Sequence, residues 1–236
     1  MKLLQMLGSA RDGAQLRQVE CADLVIAGWT GRDVQAVNAH IKELAKLGVR
    51  APRSIPCYYR ASVELLTTSE SLQALGYDSS GEVEPVLFAL QDGLWVGVGS
   101  DHTDRRVETY SVEVSKQMCQ KPVASELWRF VDVAPHWDQL ILRSKIRNPG
   151  QDWILYQEGT LAHIRPPEEL IGRYLGATTK ELPAGTVMFC GTFSAKGGIR
   201  SATEFMFEME DPVLSRSIRH AYHVTNLERS NDTDAD

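Results

Sequence analysis

Residues 81–99, GEVEPVLFALQDGLWVGVG, decide how this chain is read. Two apolar runs flank Gln91-Asp92-Gly93, whose turn chemistry predicts a β-hairpin. Alternate residues of a strand face the same way, so Glu82 and Glu84, in a strand predicted over 82–90, stand side by side. Two carboxylates at that separation repel unless a cation lies between them. The plain alternative is a charged, exposed edge strand, a position that suits Pro85. A second strand, predicted over 94–98, runs into Ser100-Asp101-His102-Thr103-Asp104-Arg105. Such a polar cluster at a strand end is either a binding element or a solvated turn. Taken together, Glu82, Glu84 and Asp101 offer three oxygen ligands, the set a hard cation such as Mg²⁺ or Mn²⁺ prefers, with Ca²⁺ within the same chemistry. No cysteine accompanies His102 at zinc spacing.

Outward from the hairpin, further strands are predicted over 107–114, 140–143, 153–156, 186–190, 203–209 and 221–226. A helix is predicted over 34–47, where Val34, Val37, Ile41, Leu44 and Leu47 recur at three-and-four spacing after the capping-box-like Thr30-Gly31-Arg32-Asp33. A second, short helix opens at Pro166-Pro167-Glu168-Glu169, with Pro near its first position and acids in its first turn. The expected class is α+β and mostly β, a β-roll or barrel with a small helical N-terminal part. Length leaves one or two domains open and no linker or repeat forces two; a single domain is expected over 1–229, followed by a disordered acidic tail over 230–236.

The 236 residues are 43% hydrophobic and 24% charged, enough for an ample core. With 25 Lys and Arg against 31 Asp and Glu, the net charge is −6, and no basic block offers a nucleic-acid surface. No apolar run is long enough to span a bilayer, so no membrane partner is expected. The N-terminal MKLLQMLGSARD is a poor match to a secretory leader. Cys21, Cys57, Cys119 and Cys190 contain no C-x-x-C pair and read as reduced thiols of a cytoplasmic protein.

Three further features carry chemistry. His40 and Glu43 lie three apart on the predicted helix, where the carboxylate can orient the imidazole and make it a base for water; an inert surface pair is the plain alternative. The run 183–192 leads from a turn into an apolar strand that ends at Gly191-Thr192, where amides and a hydroxyl could meet an anion. Lys116 and Lys121 are candidates for stabilising negative charge on oxygen, although surface lysines are common.

In this order the pieces resemble the fumarylacetoacetate hydrolase superfamily. Asn38-Ala39-His40-Ile41-Lys42-Glu43 is similar to its N-Y-x-x-H-x-x-E segment, without the Tyr. Glu82-Val83-Glu84 is similar to its E-x-E metal motif, and residues 100–105 to its N-D-x-x-x-R-D segment. Residues 182–192 are similar to L-x-P-G-D-x-I-x-T-G-T. Phe207-Glu208-Met209-Glu210 and Thr225-Asn226-Leu227 echo its closing motif. The lysine segment is only partly echoed around Lys116, with Lys121 as a fallback. The resemblance implies a metal site of Glu82, Glu84 and Asp101, catalytic His40, Glu43 and Lys116, and substrate contacts from Arg105, Gly191 and Thr192. It implies a homodimeric hydrolase of a small 2-oxo or diketo acid, breaking a C–C bond through an enolate held at Mg²⁺ or Mn²⁺ with His/Glu-activated water. A hydratase, decarboxylase or amide/lactam hydrolase would use the same site. A non-catalytic small-acid binding protein is the alternative of another class.

Overall fold

The computed structural model describes residues 1–11, 13–46, 52, 54–176 and 181–230. The fold is α+β and mostly β, with two principal sheets. Its longer strands are β1 (Lys2–Ala10), β2 (Gly13–Cys21), β3 (Asp23–Gly28), β4 (Cys57–Ala61), β5 (Ser71–Leu75), β6 (Val83–Leu90) and β7 (Gly93–Ser100). After them come β8 (Glu126–Arg129), β9 (Ile141–Arg147), β10 (Ile154–Thr160), β11 (Thr186–Phe189), β12 (Glu204–Asp211) and β13 (Arg216–Leu227). The larger sheet has the order β2-β1-β8-β7-β6-β11-β3-β4 and curls into a half-barrel; the smaller has the order β10-β9-β12-β13-β5.

Alternation along the strands sorts the core into two clusters. Val25, Leu87, Val96 and Val98 point from the larger sheet to Leu142, Phe205, Phe207 and Met209 of the smaller one. Leu24, Ile26, Val86, Phe88 and Trp95 fill the opposite face with Leu4, Met6, Leu127 and Phe189. Strand β6 is therefore buried on both faces, and Pro85 lies in an inner strand and not at an edge. Phe88, Trp95 and Leu87 are among the largest fully buried side chains; a fully buried aliphatic or aromatic side chain contributes about 1.5–3 kcal/mol.

Two stretches differ from the sequence expectation. The front of the chain is not helical: it is the β1–β2 hairpin and β3, and only then one helix, Val34–Lys46. On that helix Val34 is 49% exposed and Val37 and Ile41 are half-buried, so the apolar stripe is only partly covered by the described chain. Residues 107–114, expected as a strand, form parts of two short helices, Arg105–Glu108 and Val112–Gln117. The Asp104 carboxylate accepts from Val107 N at 2.9 Å and Ser111 Oγ from Val114 N at 3.2 Å. Those N-caps outweigh the strand preference of the valines. Of the expected tail over 230–236, only Ser230 falls within the described residues.

Candidate metal centre

The β6–β7 hairpin closes on Gln91-Asp92, with Leu90 paired to Gly93 and, at the open end, Val83 to Ser100. One step beyond that pair, Asp101 N donates to Glu82 O at 3.0 Å, so Asp101 lies opposite Glu82. The hairpin thereby brings Glu82, Glu84 and Asp101 together: one carboxylate oxygen from each lies within 4.8 Å of the others. Glu84 and Asp101 are buried and Glu82 is half-buried.

Each carboxylate is positioned by a different element. Glu84 Oε2 accepts from Gly191 N at 2.7 Å. Gly191 has φ +99°, and a Cβ there would overlap Thr30 Oγ1, so only glycine can aim its amide this way. Thr192 Oγ1 donates to Val83 O at 2.7 Å, and Gln157 Nε2 donates to Thr192 Oγ1 at 2.8 Å. Arg105 lies 3.1 Å from Glu82 Oε1, donates to Glu108 Oε2 at 2.9 Å and to Ser80 Oγ at 2.7 Å. Arg105, Gly191 and Thr192, expected to touch substrate, are thus occupied in holding the carboxylates and their strand.

Lys116, on the second short helix, is 2.5 Å from Asp101 Oδ2, 3.7 Å from Glu82 Oε2 and 4.0 Å from Glu108 Oε1. Lys121 is fully buried, 2.9 Å from Asp101 Oδ1, and donates to His102 O at 2.5 Å. Of the two lysines, Lys116 faces all three acids; Lys121 is anchored beneath Asp101. Burial raises the Glu84 carboxyl well above its ordinary range, and Asp101 and Glu82 add to this against Lys116 and the Gly191 amide. Burial would also raise Asp101, but Lys116 and Lys121 outweigh it and hold that carboxyl low. For Lys116 burial works downward, and Asp101, Glu82 and Glu108 overcome it to hold the ammonium above its ordinary value.

The donor set fits a divalent cation. Glu82, Asp101 and Glu108 pair with the three cations Arg105, Lys116 and Lys121, while Glu84, a fourth carboxyl beside them, accepts from the Gly191 amide. Asp101 Oδ2 is buried, and its near neighbour is the Lys116 ammonium at 2.5 Å. A buried acceptor with only an ion-pair neighbour, between two further carboxylates, is suited to a hard cation.

His102 is buried and held at both ring nitrogens. Its ring nitrogens lie 2.9 Å from Tyr222 OH and 2.9 Å from Ser79 Oγ, and burial, with Lys121 and Arg105, lowers its pKa to about 3. His40 and Glu43 fall on the helix Val34–Lys46, but their side chains lie outside the described residues. Sequence reading missed Glu108, hidden in the stretch read as a strand, and Gln157, which bonds Val83 N, Ser144, Thr192 and Phe193 O.

Among the described residues no helix is long and apolar enough to cross a membrane. No curated protein matches this chain significantly. Solved structures do resemble it. Cg1458, crystallised with an inhibitor, superposes with a TM-score of 0.64 at 16% identity over 92% of this chain and 81% of the other. A hexagonal crystal form of 2-keto-3-deoxyarabinonate dehydratase gives 0.63 at 13% identity over 92% and 78%. 2-keto-3-deoxy-D-arabinonate dehydratase complexed with magnesium and 2,5-dioxopentanoate gives 0.62 at 14% identity, again over 92% and 78%. At these identities the likeness is one of fold. A family model matches residues 27–222, and the chain belongs to that family, described as protein of unknown function (DUF2848).

Proposed function

We propose that this chain is a divalent-metal-dependent enzyme of the fumarylacetoacetate hydrolase type that acts on a small 2-oxo or diketo acid. The observation that carries the proposal is the convergence of Glu82, Glu84 and Asp101 within 4.8 Å, with the Lys116 ammonium beside them. Glu82, Glu84 and Asp101 would hold a Mg²⁺ or Mn²⁺ ion, which would supply Lewis acidity toward the substrate. Lys116 offsets negative charge that develops on oxygen as a proton or carbon group leaves the position beside the carbonyl. Arg105 holds Glu82, and Gly191 and Thr192 hold Glu84 and its strand. His40, oriented by Glu43, activates water for hydrolytic C–C cleavage, an assignment that rests on the sequence.

A second reaction, dehydration of a 3-deoxy-2-oxo acid, would place similar negative charge on the 2-oxo oxygen as the C3 proton is removed and the C4 hydroxyl leaves as water. It is favoured by the likeness to a dehydratase solved with magnesium and 2,5-dioxopentanoate. The same reading has the protein as a cytoplasmic homodimer, supported by four free cysteines and by the family resemblance.

The test is a panel of 2-oxo, 2,4-dioxo and 3-deoxy-2-oxo acids followed by proton NMR, with added Mg²⁺ or Mn²⁺ and with EDTA. EDTA-sensitive consumption of a panel member supports the proposal, and the products separate C–C cleavage from loss of water. Saturable binding of these acids without any turnover would favour the non-catalytic binding protein.

A further inference from the structure

The two lysines that reach Asp101 are held in different ways. Lys121 belongs to the two-residue strand Lys121–Pro122, which pairs with Leu66–Thr67. Its ammonium is fully buried, bonded to the His102 carbonyl and paired with Asp101 Oδ1. Lys116 sits near the end of a six-residue helix, with a long flexible stem. Its closest contact is the ion pair with Asp101 Oδ2, at 2.5 Å. Its other partners, Thr103 Oγ1 at 3.4 Å, Glu82 Oε2 at 3.7 Å and Glu108 Oε1 at 4.0 Å, are distant.

The Lys116 ammonium therefore lies against oxygens that a cation bound to the triad would use. Such an ion sits about 2.0–2.6 Å from its oxygen ligands. Two cations cannot both approach Asp101 Oδ2 so closely without strong repulsion. We propose that Lys116 is an internal counter-ion that occupies the ligand set in the metal-free protein and withdraws from Asp101 Oδ2 when a divalent ion binds, while Lys121 stays in place. This inference rests on the metal site proposed above. Glu108, already 4.0 Å from the ammonium, is the carboxylate toward which it withdraws. Withdrawal links metal occupancy to the release of a cation for an anionic substrate, so that the site is completed only when loaded.

The experiment is calorimetric titration of the metal-free full chain with Mn²⁺ alone, for wild type, Lys116→Met, Lys116→Gln and Glu82→Ala. Both Lys116 variants should bind Mn²⁺ at least about tenfold more tightly than wild type, a small part of the repulsion they remove. Glu82→Ala should bind much more weakly. Equal or weaker affinity in the folded Lys116 variants would overturn the inference and leave the metal site standing. Absence of Mn²⁺ binding in wild type and both Lys116 variants would overturn both. Should neither variant fold, the unmodified protein still decides: saturating Mn²⁺ should speed chemical acetylation of Lys116, read by mass spectrometry, and leave Lys121 unchanged. Equal labelling of Lys116 with and without Mn²⁺ would overturn the proposal.

Discussion

Replacing Gln157 by Ala tests how the two sheets fix the site. Gln157 is 1% exposed, in β10 of the smaller sheet, and its amide makes four hydrogen bonds. Oε1 accepts from Val83 N at 3.0 Å and Ser144 Oγ at 2.9 Å; Nε2 donates to Thr192 Oγ1 at 2.8 Å and Phe193 O at 2.7 Å. Thr192 keeps its bond to Val83 O after truncation, which leaves Val83 N, Ser144 and Phe193 O to find water or go unpaired. At about 1–3 kcal/mol per buried group left unsatisfied, with some relief from water, the loss should be about 4 kcal/mol. In a chain of this size that lowers Tm by about 8–16 °C. Urea unfolding and a thermal scan in the presence of EDTA measure it. Val83 lies between two proposed ligands and Thr192 follows the glycine that holds Glu84, so Mn²⁺ affinity should fall as well. A destabilisation below about 1 kcal/mol, with Mn²⁺ affinity unchanged, would refute this reasoning.

Two other outcomes follow from individual residues. Asp211 is fully buried and accepts from Val213 N, Leu214 N, His136 and Arg216. Burial raises its carboxyl, but the Leu214 amide, His136 and Arg216 outweigh that and hold the pKa below its ordinary value. Its contribution is therefore present above the unfolded pKa of about 3.9 and lost as pH falls through the folded value. Asp211→Asn should cost about 1–3 kcal/mol at pH 7, the gap from wild type shrinking below about pH 4 in urea titrations; a gap constant down to pH 3 would refute the assignment. His40→Ala should lower kcat for the substrate found by about 10²–10⁴-fold without altering Mn²⁺ affinity, and Glu43→Gln should lose less; full turnover in His40→Ala would remove the proposed base.

The triad was legible because its geometry is local. Period-two alternation sets Glu82 beside Glu84, and a short hairpin turn must return the chain to Asp101. The cations were harder to read, because their placement depends on caps. Val107, Val112 and Val114 favour a strand in isolation, and the Asp104 and Ser111 side chains convert that stretch into two helical turns carrying Glu108 and Lys116. The first strands were hidden by exposed leucines. Leu4 and Met6 face the core, but Leu3 and Leu7, 47% and 36% exposed, occupy the outer face and blur the alternation. Pro85 suggested an edge, yet β6 is an inner strand in which the Cys190 amide donates to the Pro85 carbonyl at 3.1 Å. The roles of Gly191 and Thr192 depend on contacts across more than a hundred residues, which no local pattern carries.

Anomalous scattering from crystals grown with Mn²⁺ would locate the one divalent cation proposed to lie between Glu82, Glu84 and Asp101. One strong anomalous peak per chain is expected, about 2.0–2.6 Å from an oxygen of each of the three carboxylates, with the Lys116 ammonium displaced from Asp101 Oδ2. A manganese peak elsewhere, with Lys116 still seated on Asp101 and the three carboxylates free of metal, would contradict that placement.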